Sequence, residues 1–117
     1  MSSDTFKILQ KQVAKFVFDR DWDKFHNPKN LAMSIAIEAS EIMELFQWKS
    51  LEESLNSIND PKFKQELTFE LADVLIYILS LSYRTNIDLK DAVTRKLEIN
   101  NSRFPEKVVH GILPPEK

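Results

Sequence analysis

The sequence predicts an all-α fold, and three observations lead to this prediction. Glycine occurs once in 117 residues, where average usage would give about eight, and strand-rich folds need glycine in their tight turns and bulges. Apolar residues recur every three or four positions, as they do on one face of a helix. Helix-capping residues and prolines separate these segments. The length and the globular composition, with 43% hydrophobic and 29% charged residues, suit a single domain over residues 1–117.

Two helices are predicted in the first half of the chain. The first begins after Asp4 or Thr5 and ends near Asp19, and its apolar positions share one face: Phe6, Leu9, Val13, Phe16 and Val17. A polar segment rich in aromatic side chains follows. Asn27 is a good N-cap for a second helix over residues 28–48, whose first residue is a proline, as is common in a first helical turn.

A third long helix is predicted over residues 61–84, after a short helix that Ser50 and Glu53 open as a capping box. Residues 71–79 of the third helix are apolar nearly all the way round, and such a helix is normally buried on every side. A chain of 117 residues can hardly cover it alone. We therefore predict that the buried third helix packs in a homo-oligomer, either a dimer or a tetramer.

A fourth long helix is predicted over residues 89–103, and Pro105 ends it. The prediction is thus a bundle of four to five helices with a core over about residues 5–106. The tail, residues 107–117, is predicted to be extended, because prolines recur toward the end of the chain.

Composition excludes several functional classes. The chain has no cysteine, which excludes disulfides, thiol nucleophiles and cysteine-ligated zinc, and suits a reducing cytoplasm. Its single glycine excludes the glycine-rich phosphate loops. A net charge of −2 without a basic stripe argues against a polymeric nucleic-acid partner. The sequence shows neither signal-peptide features nor an apolar run long enough to span a bilayer, so we expect a cytoplasmic protein with no membrane partner.

Two pairs of acidic residues are the candidate metal ligands: Glu38 with Glu41, and Glu70 with Asp73. Each pair is spaced i, i+3 on a predicted helix, so both members lie on one helix face. Their neighbours are mostly apolar, unlike those of an ordinary solvated face. Buried carboxylates repel one another and lose hydration unless a cation compensates. Oxygen ligands without His or Cys favour Mg²⁺, with Mn²⁺ as the second choice.

The four acids also allow two other interpretations. They can form a solvated seam on a non-catalytic helical interaction module, because single Glu and Asp residues on helices are usually exposed. A ferritin-like di-iron centre fits less well, because such bundles use Glu-x-x-His pairs and no predicted helix of this chain supplies the histidine.

Several segments together resemble the MazG-like all-α nucleoside triphosphate pyrophosphohydrolases, and among them the dCTP pyrophosphatase branch. Besides the acidic pairs, they are RDWDKFH at 20–26, LFQWKS at 45–50, ELADVLIY at 70–77, and the pattern Lys96-x-x-x-Asn100-x-x-Arg103-Phe104-Pro105. The resemblance covers about residues 5–106. It implies a helical bundle of MazG-like type assembled as dimers or dimers of dimers, which agrees with the apolar third helix.

The resemblance also implies a reaction and a site. The reaction is Mg²⁺-dependent hydrolysis of a nucleoside triphosphate to the monophosphate and pyrophosphate, with dCTP or a related pyrimidine deoxynucleotide as substrate. The four acids match the Mg²⁺ ligands, and Glu41 or Glu38 would accept the proton of the attacking water. Three residues match family positions near the base and sugar of the substrate: Trp22, His26 and Trp48. Three others match family positions near the sugar and phosphates: Tyr77, Lys96 and Asn100.

Two of these positions also have support from the residues themselves. Trp22 and Trp48 lie at predicted helix ends beside polar residues, where an indole can stack on a base. The base itself stays open: dUTP or a modified nucleotide is an alternative substrate, because one hydrogen-bond partner decides the choice.

Overall fold

The computed structural model describes residues 4–113, and within that range the chain is helical, with no strand. The elements are α1 (Thr5–Asp19), a 3₁₀ helix (Asp23–Phe25), α2 (Pro28–Phe46), α3 (Leu51–Ser57), α4 (Pro61–Arg84), α5 (Leu89–Arg103) and α6 (Glu106–Val109). The prediction of an all-α fold is confirmed. The chain forms two compact units, Met1–Asn86 and Ile87–Lys117. The single domain over residues 1–117 stays a prediction.

Side-chain caps explain why the long helices begin where the sequence predicts. The residue before each of them accepts a backbone N–H from the first turn: Asp4, Asn27, Asp60 and Asp88. Ser50 and Glu53 form the predicted capping box at α3, with hydrogen bonds of 2.9 and 3.1 Å. Ser50 must be extended to cap α3, so α2 ends at Phe46 rather than at the predicted residue 48.

In the first unit, α1 and α2 both pack against α4. The buried apolar side chains come from these three helices: Val17, Leu31, Phe63 and Leu79. Phe46, at the end of α2, meets Phe63, at the start of α4, edge to face with ring centroids 5.3 Å apart. The residues just before α2 lie near the later part of α4, where His26 stacks on Tyr77. Helices α2 and α4 are therefore antiparallel neighbours.

A buried polar contact joins α1 to α4. The Gln10 side-chain amide donates a 2.6 Å hydrogen bond to the Ser82 hydroxyl, which donates in turn to the carbonyl of Leu79 at 2.9 Å. Both polar side chains are buried, and a buried hydroxyl or amide is costly unless it is paired. The contact therefore favours one register of α1 along α4.

One local prediction needs correction. The tail is not extended throughout, because Glu106–Val109 forms the helical turn α6. The Pro105 carbonyl accepts the N–H groups of Val108 and Val109, and an acidic residue directly after a proline favours such a turn. Residues 114–117 of the predicted tail lie outside the described residues. The segment before α2, for which no element was predicted, contains a 3₁₀ turn that is too short to show a periodic pattern.

Much of the apolar surface of α4 is uncovered in the single chain. Phe69, Leu71, Leu75 and Ile76 are all exposed. Burial of this surface by a second subunit stays a prediction. Across residues 4–113, no helix combines the length and the apolar character needed to cross a membrane.

Candidate functional site

The antiparallel pair of α2 and α4 brings the four predicted metal ligands together. One carboxylate oxygen from each side chain lies within 4.8 Å of the others, and all four side chains are half-buried: Glu38, Glu41, Glu70 and Asp73. We call this group the acid cluster. A hard cation binds its oxygen ligands at roughly 2.0–2.6 Å. Two ligand oxygens on opposite sides of the ion are therefore separated by about twice that distance. The spread of the cluster therefore fits the ligand shell of one such ion.

The close approach of the carboxylates changes their acidity. A hydrogen bond with the Glu41 side chain, together with desolvation and the charges of the neighbouring acids, raises the pKa of Glu70 to about 7. Burial raises the pKa of Glu38, and the hydrogen bond and charge of Glu41 raise it further. Without a cation, protons must therefore relieve part of the repulsion within the acid cluster.

Two oxygens of the acid cluster lack a partner. Glu38 Oε2 and Glu70 Oε2 are buried, and no group of the described chain forms a hydrogen bond with either. A buried oxygen without a partner is unfavourable in a folded protein. A divalent cation would satisfy both oxygens and offset the repulsion of the carboxylates. The donor set, the spacing and the unpaired oxygens thus fit a metal ion.

A cavity of about 350 Å³ opens beside the acid cluster, and we call it the His26 cavity. Its wall comes from the segment before α2 and from the facing sides of α2 and α4: Phe25, His26, Asn30, Leu31, Met33, Ser34 and Tyr77. Ser34 precedes Glu38 by four residues, and Tyr77 follows Asp73 by four. One helical turn, about 6 Å along each axis, therefore separates the cavity wall from the acids.

His26 and Tyr77, two of the predicted substrate-binding residues, are in contact. Their rings stack with centroids 6.3 Å apart and an interplanar angle of 25°. Burial, followed by the charge of Arg84, lowers the pKa of His26, and Asp23 partly opposes this effect. His26 Nδ1 is buried, and the described residues offer it no hydrogen-bond partner. Burial and the charge of Arg84 therefore both favour the neutral form of the His26 ring.

The two tryptophans do not line the His26 cavity. Trp22 packs edge-on against Phe16 on α1, with centroids 5.9 Å apart, and is 43% exposed. Trp48 follows α2 and is 88% exposed. An aromatic ring with this exposure is available for stacking, but the structure does not place either ring against the cavity. Their roles in binding a base stay predictions.

The other two predicted residues belong to the second unit. Lys96 and Asn100 are one helical turn apart on α5; Lys96 is exposed and Asn100 is half-buried. Lys96 lines a cavity of about 410 Å³ within that unit, together with residues from Ile87 to Ile99. Their predicted contacts with the sugar and phosphates stay predictions.

Five residues of the cavity wall were not identified as site residues from the sequence: Phe25, Asn30, Leu31, Met33 and Ser34. A signal for two of them was present. Asn30 and Ser34 precede Glu38 at intervals of four residues, so all three share one face of α2. The helix face that carries Glu38, followed back toward the start of α2, leads to these two polar side chains. Phe25 and Met33 carry no such signal.

Comparison with known proteins agrees with this architecture. The model of the MazG-like family matches residues 33–112. A dCTP pyrophosphatase 1 from Mus musculus is 39% identical over 107 residues, which are 92% of this chain and 63% of that protein. The Homo sapiens protein of that name is 40% identical over 101 residues, 86% of this chain and 59% of that protein. The chain thus spans about three fifths of the length of these mammalian relatives.

A solved structure is also similar. A pyrophosphatase from Archaeoglobus fulgidus superimposes with a TM-score of 0.82 at 39% identity, and the match covers 90% of this chain and 96% of that one. The likeness therefore extends over nearly the whole helical architecture. The chain belongs to the MazG-like family.

Proposed function

We propose that this chain is a Mg²⁺-dependent hydrolase that cleaves a nucleoside triphosphate, preferably dCTP or a related pyrimidine deoxynucleotide, to the monophosphate and pyrophosphate. The observation that carries the proposal is the acid cluster, with four carboxylates within 4.8 Å and two buried oxygens that lack a partner. The relatives named dCTP pyrophosphatase 1 support the choice of reaction and base. The cysteine-free composition suits a cytoplasmic setting.

In this proposal the acid cluster holds Mg²⁺, and Mn²⁺ can replace it. When bound, the ion offsets phosphate charge and makes water more acidic. Glu41 or Glu38 accepts a proton from the water that attacks the α-phosphorus. A bond forms between the water oxygen and the α-phosphorus, the bond to the bridging oxygen breaks, and pyrophosphate leaves with the electron pair.

The His26 cavity has a suitable size for the rest of the nucleotide. Its 350 Å³ falls within the roughly 300–1,000 Å³ of small-molecule sites. His26 and Tyr77 offer aromatic faces, and Asn30 and Ser34 offer hydrogen-bonding groups next to the acids. We assign sugar and base binding to this cavity. Trp22, Trp48, Lys96 and Asn100 stay in the proposal as further substrate contacts.

Product analysis tests the reaction. The purified protein is incubated with a panel of dNTPs and NTPs, with Mg²⁺ or with EDTA, and the products are separated by ion-exchange chromatography. We expect monophosphate and pyrophosphate only with Mg²⁺, and the fastest turnover with dCTP. A preference for dUTP or a modified nucleotide would change the assigned substrate. No turnover of any nucleotide would contradict the proposal and favour a non-catalytic interaction module.

Replacement of Glu41 tests the role of the acid cluster. We expect Glu41→Gln to lower kcat by at least about a hundredfold, because a general base or metal ligand is lost. Glu44→Gln is the matched control, since Glu44 is an exposed acid one turn further along α2, and its turnover should match the wild type. Retained activity in folded Glu41→Gln would remove Glu41 from the site.

A further inference from the structure

The segment that carries Trp22, Phe25 and His26 is tied to α4 by one arginine. Arg84 Nη2 lies 2.8 Å from Asp23 Oδ1 and 2.8 Å from the Asp23 carbonyl oxygen, and donates to both. The two residues are 61 positions apart in the sequence. This long-range contact therefore fixes the 3₁₀ helix against the end of α4.

Arg84 belongs to the same side of α4 as the candidate site. It follows Tyr77 by seven residues, which is close to two helical turns. Tyr77 in turn follows Asp73 of the acid cluster by four. The ion pair thus lies along the helix face that carries the metal ligands and the cavity wall.

The ion pair is closely packed on one side and open on the other, where Asp23 and Arg84 line a cavity of about 470 Å³. Asp23, Arg84 and His26 border a void of only about 10 Å³, which is no more than about one water molecule occupies. His26 therefore adjoins the ion pair across this small void, and its ring stacks on Tyr77 of α4. If the ion pair breaks, the 3₁₀ turn loses its hydrogen bonds to α4 near His26.

The ion pair contributes little to global stability. The side chains of Arg84 and Asp23 are 33% and 47% exposed, and solvent-exposed ion pairs add little to the free energy of unfolding. Its effect is on local geometry, because one guanidinium nitrogen holds both a backbone and a side-chain oxygen of the same residue.

We propose that Arg84 is a positioning residue: through Asp23 it fixes the segment over residues 22–26 on α4 and so holds His26 against Tyr77 in the cavity wall. This inference rests on the proposed function, because it assigns the His26 cavity to the nucleotide. The charge of Arg84 also lowers the pKa of His26, so the same residue favours the neutral form of the ring.

Steady-state kinetics test the proposal with four variants: Arg84→Met, Asp23→Ala, the double variant, and the conservative Asp23→Asn. We expect Arg84→Met to raise KM for the preferred nucleotide at least about tenfold while kcat changes little, because the binding wall loosens and the acids stay in place. Asp23→Ala should act in the same direction. The double variant should be no worse than the more severe single one, and Asp23→Asn, which keeps an acceptor oxygen, should restore most of the affinity.

A matched control removes another ion pair of the same unit. Lys15→Met breaks the exposed pair with Asp19 on α1 and should leave KM unchanged. An additive effect in the double variant would show that Arg84 does not act through Asp23 and would overturn the proposal. If Arg84→Met does not fold, the comparison of Asp23→Ala with Asp23→Asn makes the same test.

An NMR measurement tests the positioning without any turnover. The chain has two histidines, His26 and His110, so His110→Gln assigns their ring signals. In the wild type, the Tyr77 ring should shift the His26 ring signals, and Arg84→Met should move them toward those of a free histidine. Unchanged His26 signals together with unchanged KM would refute the role of Arg84. A wild-type protein that hydrolyses no nucleotide would contradict the proposed function alone.

Discussion

Glu70 shows most clearly what the packing of two helices does to a single side chain. As a residue of an isolated helix it would be an ordinary carboxylate. Opposite Glu41 it gains a hydrogen bond and loses hydration, and its pKa rises to about 7. An ionisable group whose pKa is shifted this far by burial and neighbouring charges is typical of functional sites.

The pKa of Glu70 predicts how pH changes the stability of the metal-free protein. The folded-state pKa lies above the ordinary value of 4.5, so the folded protein holds this proton more tightly than the unfolded chain. The contribution of Glu70 to stability is then fully present below pH 4.5 and is lost as pH rises through 7. In EDTA, the Tm of the wild type should fall over this window.

Glu70→Gln should flatten this dependence, because the amide cannot ionise and the repulsion within the acid cluster decreases. Thermal unfolding in EDTA between pH 5 and pH 8 measures the difference in slope. This range begins near the ordinary pKa of a glutamate and ends about one unit above the folded-state pKa of Glu70. Glu66→Gln is the control, since Glu66 is exposed one turn earlier on α4 and should keep the wild-type slope. An equal slope in Glu70→Gln would mean that another group titrates.

At the scale of elements, α3 depends most on its cap. It has only seven residues, and a helix of that length is marginal without stabilising contacts at its ends. The capping box satisfies the Glu53 N–H through the Ser50 hydroxyl, and the Ser50 N–H through the Glu53 carboxylate. The beginning of α3 is therefore set by these two side chains.

Ser50→Ala should lower the free energy of unfolding by about 1 kcal/mol, because the hydroxyl that accepts the Glu53 N–H is lost. Urea unfolding measures this difference. Ser54→Ala is the control: its hydroxyl only donates to the carbonyl of Leu51 inside the helix, and alanine is the better helix former. A Ser50→Ala variant as stable as Ser54→Ala would contradict the importance of the cap.

At the scale of the whole molecule, α4 exposes several large apolar side chains in the single chain. Leu71 and Leu75, one turn apart, are 53% and 38% exposed, and Ile76 is 41% exposed. Covering a leucine or isoleucine contributes about 1.5–3 kcal/mol for complete burial. A second copy of this chain on α4 would bury this surface, as the homo-oligomer prediction requires.

Light scattering after size exclusion tests this prediction. The wild type should have two or four times the chain mass of 13.7 kDa, and Leu75→Asp should shift the mass toward the single chain, because a carboxylate would be buried in the interface. Gln65→Asp, at an exposed position near the start of α4, should assemble like the wild type. A wild-type mass of 13.7 kDa would show that the homo-oligomer prediction is wrong.

The sequence by itself determined the helices and the pairing of acids within each helix. Caps such as Asn27 and Asp60 act on the next few residues, and the i, i+3 spacing places Glu38 beside Glu41 whatever the rest of the chain does. Local hydrogen bonding is enough for both. The turns at 23–25 and 106–109 were not predicted, because each is too short to show a period.

Only the tertiary structure decided that the two acidic faces meet. The antiparallel packing of α2 on α4 brings Glu70 to Glu41 and raises its pKa, and it places Ser34 and Tyr77 in one cavity wall. No spacing within one helix contains this information, because the contact depends on the register in which the side chains of two helices fit together. The ion pair between Arg84 and Asp23, which are 61 positions apart in the sequence, depends on the same packing.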